Sequence, residues 1–274
     1  MTAVVDSSTT LVALQGLKNA NRDAAKASER LATGLKINTA GDDPAGVGKA
    51  STLKAEIGSY QQVKRNVNFA LSDLNKITDG LLTISDYLVE MRTIAVASLG
   101  ERDEDVRENY QAAFADLRSG ITDIVTNTKF GGAAILSTGG TVTVQSGIDP
   151  GDETDITIGT ATVAALTVSA STVANSAGAS AAVAAVEAAI STIAQRLSTV
   201  GSSENSLEYS LDLADTSILS RSSQYGDIMN ADIALEATNL AAAKIRQDSA
   251  TAVLAQANSM NRNIADYLLN GALG

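Results

Sequence analysis

Cysteine and histidine are both missing from the 274 residues, and so is tryptophan. Without cysteine there is no disulfide scaffold. Without either residue there is no zinc site of the usual kind, and no Cys/His or Ser/His catalytic pair. Proline occurs twice, at Pro44 and Pro150, so nothing interrupts residues 51–149 or 151–274 as proline interrupts a helix. Aromatics are 3% of the chain, and the 45% hydrophobic share is rich in alanine and leucine, which favour helix. Basic residues are also few: 20 against 31 acids, a net charge of −11 with no basic cluster. Nucleic acid and anionic membrane surfaces are therefore poor partners. No run of about 18 apolar residues is present, and the longest candidate, Ala181 to Ile190, carries Glu187, so no transmembrane helix and no membrane insertion is expected. Met1 to Asp6 lacks the basic-then-apolar pattern of a cleaved signal peptide.

What is present is heptad periodicity. From Leu53 to Ala95 one set of positions is Leu53, Tyr60, Val67, Leu74, Leu81, Leu88 and Ala95. The interleaved set is Glu56, Val63, Ala70, Ile77, Ile84 and Met91, broken only by Glu56. Such a seam calls for a partner helix. A break near Leu99-Gly100 precedes a helix expected at about Asp103 to Thr128, with Tyr110, Phe114, Leu117, Ile121 and Ile124 on one side. A third seam runs through Val183, Val186, Ile190, Ile193, Leu197, Val200, Leu207, Leu211, Ala214 and Ile218, interrupted at Glu204. Three seams of like period predict an antiparallel bundle.

The ends carry thinner stripes: Leu14, Leu17, Asn21, Ala24, Ser28 and Leu31, then Ile233, Leu240, Ala243, Ala250, Leu254, Ala257, Ile264 and Leu268. Helices with so little apolar surface are marginal alone, so the ends are expected to order by meeting each other or neighbouring copies. Their charges complement weakly: residues 1–40 carry five bases and three acids, residues 227–274 three bases and five acids. Residues 130–179 are rich in Gly, Thr, Val and Ser. Alternations at Thr141–Val144, Asp155–Ile158 and Leu166–Ser169 read as a hairpin or three-stranded unit, with Asp149-Pro-Gly-Asp152 as its turn. No base lies between Lys129 and Arg196, so this acidic stretch is expected at a solvent-facing surface.

The fold class is thus mainly α: a long antiparallel helical bundle or coiled coil formed by both chain ends, with a small β-rich insert in the middle. The divisions read from the pattern are 1–43 with 228–274, 44–129 with 180–227, and 130–179.

One stretch carries a resemblance. Arg30-Leu31-Ala32-Thr33-Gly34-Leu35-Lys36-Ile37-Asn38-Thr39-Ala40-Gly41-Asp42-Asp43-Pro44-Ala45-Gly46 resembles the N-terminal signature of bacterial flagellins. Asn66-Val-Asn68, Asp73 to Val96 and Thr128 to Gly132 continue it; Asp232, Glu236, Gln256-Ala-Asn258 and Leu268-Leu269 resemble the C-terminal signature. The match spans roughly 10–135 and 205–270. The resemblance implies a non-enzymatic structural subunit of the motility filament. Its termini form an inner layer, its next helices a second layer, and its middle faces outward. It also implies extracellular assembly after type III export without a cleaved signal. The implied partners are further copies, hook-associated junction and cap proteins, and an export chaperone. The hook–filament junction protein is the alternative within that assembly.

Subunit-interface candidates are Leu14, Leu17, Leu31, Ile233, Leu240, Leu254, Ala257, Ile264 and Leu268. The resemblance places Leu88 and Arg92 in a patch that many flagellins present to an animal Toll-like receptor; Glu90 and Thr93 depart from the activating pattern, which implies weak activation. The Gly41–Gly46 segment lacks the P-loop spacing and reads as a turn. The acids at 149–155 miss the spacing of an EF-hand and read as a solvated loop. Serines and threonines in 137–180 are open to O-linked sugar. An enzyme built on Ser/Lys or paired carboxylates is the reading from another class. No catalytic, cofactor-binding or metal-binding residue is expected.

Overall fold

The computed structural model describes the backbone of residues 2–271 and the side chains of residues 10–263. The elements are α1 (Thr2–Thr33), α2 (Pro44–Gly100), α3 (Glu104–Asn127), a one-turn α4 (Ile135–Thr138), β1 (Gly140–Gln145), β2 (Glu153–Ile158), α5 (Ser176–Met229) and α6 (Ile233–Gly271). They form two compact units. The terminal unit is residues 1–55 with 221–274, and the central unit is residues 56–220. The division falls within α2 and α5 rather than at the interhelical loops, where the sequence pattern put it.

The heptad seam forms the core of the central unit. Val63, Val67, Ala70, Leu74, Ile77, Leu81, Ile84, Leu88, Met91 and Ala95 of α2 are all buried, and Tyr60 packs partly buried against them. On α5 the buried line is Ala179, Val186, Ile193, Val200, Leu207 and Ala214, one residue per heptad; Val183, Ile190, Leu197 and Leu211 are half-buried beside it. Three side-chain pairs fix an antiparallel register between α2 and α5. Lys64 Nζ meets Asp215 Oδ1 at 2.7 Å, Thr78 donates to Glu204 at 2.9 Å, and Arg92 Nη2 meets Glu187 Oε1 at 2.7 Å. The acid that interrupts the α5 seam is therefore an acceptor at the seam's edge. By length and composition α5 also contains a window apolar enough to cross a membrane, with a mean hydropathy of 1.5. It reaches that value through alanine, and its Ala182–Val186–Ala189–Ile193 line is buried in the protein core.

Local chemistry sets the break and the third helix. Glu101 accepts the N–H groups of Arg102 (2.7 Å) and Asp103 (3.0 Å), which bend the chain. Asp103 then caps α3 by accepting from Asp105 N–H at 3.0 Å, with Glu104 and Asp105 at the dipole's positive end. Phe114, Ile121 and Val125 are its buried residues. Gly131 and Gly132, with φ of 56° and 90°, make a tight turn between Phe130 and Ala133. The Gly131 N–H reaches Asp73 Oδ2 at 2.8 Å and ties that turn to α2.

The middle segment holds one antiparallel hairpin, β1 with β2, in register from Gly140↔Ile158 to Gln145↔Glu153. Its connection contains the expected turn: Asp152 N–H bonds the Asp149 carbonyl at 3.1 Å, with Pro150 and Gly151 (φ 100°) between them. The third alternation is not a strand. Thr167 adopts φ 60°, which folds Leu166–Ser169 into turns and sends Leu166 and Val168 into the core. Nor is 130–179 a separate layer. Leu136, Ile156, Ile158, Ala161, Leu166, Val168 and Val173 belong to the same core as α2 and α5, while Asp149, Asp152, Glu153 and Asp155 stay exposed.

In the terminal unit α1 lies along α6. The buried residues are Ala20, Ala27, Ile37, Ala50 and Leu53 from the N-terminal part, with Glu236, Ala243 and Ala257 from α6. The packed line on α1 is Ala13, Leu17, Ala20, Ala24, Ala27 and Leu31, so Leu14, Asn21 and Ser28 of the expected stripe turn outward. Small side chains occupy the contact because they let two helix backbones approach closely.

Candidate assembly site: the paired ends and their junction

The Arg30–Gly46 stretch is a junction whose residues hold one another in place. Gly34, with φ 71°, ends α1, and its N–H returns to the Arg30 carbonyl at 2.8 Å. The next residues pair with the chain leaving α5. Lys36 N–H donates to the Met229 carbonyl (2.6 Å), Ala231 N–H donates to the Gly34 carbonyl (2.9 Å), and Leu35 bridges Asn230. Ile37 is buried at 3% exposure and anchors the loop.

Asp42 organises the turn that follows. Its carboxylate meets Lys26 Nζ at 2.8 Å and accepts from Thr39 N–H (3.0 Å), Thr39 Oγ1 (3.1 Å) and Asn38 N–H (3.3 Å). Lys26 first, then these hydrogen bonds, hold the carboxyl well below the usual carboxylate range. Asp43 caps α2 by accepting the Gly46 N–H at 2.9 Å, and Pro44 sits in the first helical position. Gly46 has no room for a side chain: a Cβ there would lie 2.5 Å from Asp43 Oδ2 and 2.7 Å from Ile37 Cδ1. Thr33 donates back to Glu29 O, Leu31 is half-buried, and Ala40 is exposed.

Across the helix pair, Arg30 Nη1 meets Glu236 Oε1 at 2.8 Å. Glu236 is 6% exposed and also accepts from Asn239 Nδ2 at 3.2 Å. Asn239 foremost, then Arg30, outweigh its burial and lower its pKa. Asp232 caps α6 by accepting Ala234 N–H (2.9 Å) and Leu235 N–H (3.1 Å). Farther along, Arg246 Nη1 meets Asp23 Oδ2 at 3.2 Å. Asp23, Lys26, Arg30, Glu236, Asn239 and Arg246, with Ala27, line a cavity of about 200 Å³. Each of its charged groups is already paired: Arg30 with Glu236, Arg246 with Asp23, and Lys26 with Asp42 beyond the lining. Among the described residues, no three His, Cys, Asp or Glu side chains are grouped to hold a metal.

The interface candidates divide by burial. Leu14 (54%) and Ile233 (52%) are exposed; Leu17, Leu31, Leu240 and Leu254 are half-buried; Ala257 is buried within its own chain. Ile264 and Leu268 lie outside the described side chains. Other large apolar residues, missing from the expected stripes, also stand in solvent on these helices: Leu11, Val12, Leu235, Ile245, Val253 and Met260. Ala243 lies on the expected C-terminal stripe and is buried, whereas the buried Ala20 and Ala27 gave no strong signal because alanine is common everywhere in the chain. In the receptor-type patch, Leu88 is a fully buried core residue and Arg92 is engaged with Glu187.

The family model described as bacterial flagellin N-terminal helical region matches residues 6–141, and that described as bacterial flagellin C-terminal helical region matches residues 183–268. Similar curated proteins include a flagellin of Halalkalibacterium halodurans, 28% identical over 89% of this chain and 91% of its own length. The flagellar filament 33 kDa core protein of Treponema phagedenis is 27% identical over 94% of this chain and 96% of its own. Among solved structures, Bacillus cereus flagellin aligns with a TM-score of 0.51 and 24% identity over 54% of this chain and 88% of that one. A hook-associated protein of Vibrio parahaemolyticus, described as putative, shares the fold at a TM-score of 0.58 and 16% identity, over 69% and 100%.

Proposed function

We propose that this chain, which belongs to the bacterial flagellin family, is the structural subunit that polymerises into a flagellar filament for motility. The observation that carries this is the terminal helix pair: α1 and α6 bury alanines against each other and leave their larger apolar side chains in solvent. Such faces are stable when further copies cover them, and open head-to-tail contacts build filaments. The family is structural, and no catalytic role is assigned.

The finer reading is that residues 1–43 with 228–274 form the inner layer, with Leu14, Leu17, Leu31, Ile233, Leu240, Leu254, Ala257, Ile264 and Leu268 at or beside contacts between copies. Further support comes from the segregated charge of the two ends. The chain would leave the cell through type III export. It would meet an export chaperone on the way and hook-associated junction and cap proteins outside the cell. Purified chain added to short filament seeds should elongate them under electron microscopy; seeds that never grow would refute the reading. The junction-protein alternative draws on the fold shared with the Vibrio protein. It requires this chain to be scarce in sheared filaments, where a filament subunit dominates.

A further inference from the structure

We infer that a cavity in the central unit, between α5 and the end of β2, binds a small carboxylate, with Arg196 as its charged partner. The inference goes beyond the filament-subunit reading and does not depend on it.

Between Lys129 and Arg221 the chain carries nine acids and one base, Arg196. Glu187 and Asp215 are taken by Arg92 and Lys64 of α2, while Glu204 and Asp155 accept from Thr78 and Thr143. Arg196 is half-buried, and its Nη1 is enclosed with no hydrogen-bond partner among the described residues. Burial draws its pKa below the usual arginine value. A guanidinium nevertheless stays charged in a protein, and a charge withdrawn from water without a counter-ion is costly. The fold still makes room for it. A Cβ at Gly159, just past β2, would lie 3.0 Å from Arg196 Nε and 3.5 Å from its Cδ. The arginine therefore lies against bare backbone.

The cavity it lines measures about 340 Å³, and Arg196 is the one charged group in its lining. Leu81, Ile158 and Val200 supply apolar surface beside it. The hydroxyls of Thr192 and Thr199, also in the lining, donate to the Ala188 and Gln195 carbonyls of their own helix. The site thus offers one cation, few free donors and an apolar wall. Phosphate needs several donors and brings up to two negative charges, which the surplus of acids in this stretch disfavours. A monocarboxylate fits better. Its single charge matches that of Arg196, it accepts charge-assisted hydrogen bonds from a guanidinium, and a short hydrocarbon body suits the apolar wall.

The test uses the full chain kept monomeric. Propionate is the probe, with chloride and inorganic phosphate as controls at matched ionic strength. The Arg196 Nε–Hε resonance, assigned by its loss in Arg196→Gln, should shift with propionate and saturate. Propionate should bind roughly tenfold more tightly than phosphate. Gly159→Ala keeps the charge but crowds Nε, and should weaken propionate binding by a similar factor. Arg196→Gln should keep its helicity by circular dichroism and unfold at an unchanged or higher midpoint, because it removes a buried charge without a partner. An arginine that serves only by packing its stem gives a lower midpoint in that variant and no saturation in the parent chain. That pair of results overturns the site. So do shifts that rise linearly and equally with all three salts, tighter binding of phosphate, or full propionate affinity in Gly159→Ala.

Discussion

Replacing Gly46 by alanine sets two physical effects against each other, and the sign of the result decides between them. Gly46 is the third residue of α2, where helix propensity alone favours alanine by about 1 kcal/mol. The new Cβ would lie 2.5 Å from Asp43 Oδ2 and 2.7 Å from Ile37 Cδ1. Moving the Asp43 carboxylate removes the cap to Gly46 N–H, which costs about 1 kcal/mol. Moving Ile37, which is buried at 3% exposure, adds about 1–3 kcal/mol of overpacking. The balance is a loss of about 1–3 kcal/mol in the local stability of the junction. Hydrogen exchange of the Asn38, Thr39 and Gly46 amides, the donors to Asp42 and Asp43, should therefore quicken by roughly tenfold to a hundredfold. With Asp43→Ser, whose shorter side chain still caps, part of that loss should disappear. Unchanged or slower exchange in the alanine chain would refute the packing argument and leave propensity as the dominant effect.

Acid should loosen the junction: Asp42 and Glu236 are held below their ordinary values, so their contribution is complete above about pH 4–5 and is lost as protonation of the folded state proceeds. Protection at residues 229–236, taken as exchange relative to the intrinsic rate at each pH, should fall as pH falls, and Glu236→Gln should flatten that dependence; a steep acid response surviving in the variant would exclude Glu236 as its source. Val253→Asp, at a position 53% exposed in the chain, should spare thermal unfolding of residues 56–220 yet raise the critical concentration for assembly at least a hundredfold, since a charge taken into an interface costs several kcal/mol. Leu254→Asp, half-buried, should block filaments too, but also speed exchange in α6; normal filaments from either chain by electron microscopy would refute the contact. Gly120→Ala would place a Cβ 2.5 Å from the Tyr87 ring and should lower the unfolding midpoint of the central unit, with Tyr87→Leu restoring part of the loss.

How far each element could be read from sequence follows from how much apolar volume specified it. The α2 seam was legible because Leu74, Ile77, Leu81, Ile84, Leu88 and Met91 are large, regularly spaced and all fully buried. The α1 stripe was legible only to within a residue. Leu14 draws the eye, yet the packed line runs through Ala13, Ala20 and Ala27, since close helix contact selects the smallest side chain and not the most apolar. The Leu166–Ser169 alternation misled because period two reports which side chains point inward and not whether the backbone is extended; Thr167 at φ 60° buries Leu166 and Val168 from a turn. The middle segment read as an outlying insert because its acids are conspicuous, while the isoleucines and valines that join it to the core are spread thinly among threonines. At the junction, the capping roles of Asp43 and Pro44 were implicit in their order. The reach of Arg30 to Glu236, across 206 positions of chain, had no sequence signal beyond opposite charge.

The contrast between the two units carries a consequence for assembly. The central unit buries leucine, isoleucine and phenylalanine and so holds itself together. Among the described side chains of α1 and α6, the buried apolar positions within one chain are Ala20, Ala27, Ala243 and Ala257, which gain little from leaving water. Eight larger apolar residues among the described side chains of those two helices remain outside: Leu11, Val12, Leu14, Ile233, Leu235, Ile245, Val253 and Met260. Covering them, already partly shielded as they are, amounts to on the order of 10 kcal/mol of gross apolar stabilisation per chain. Within a single chain that energy is not available, whereas ordering the helices costs entropy in any state. On the filament-subunit reading proposed above, the cover those faces lack comes from other copies, which couples the stability of the α1–α6 pair to assembly.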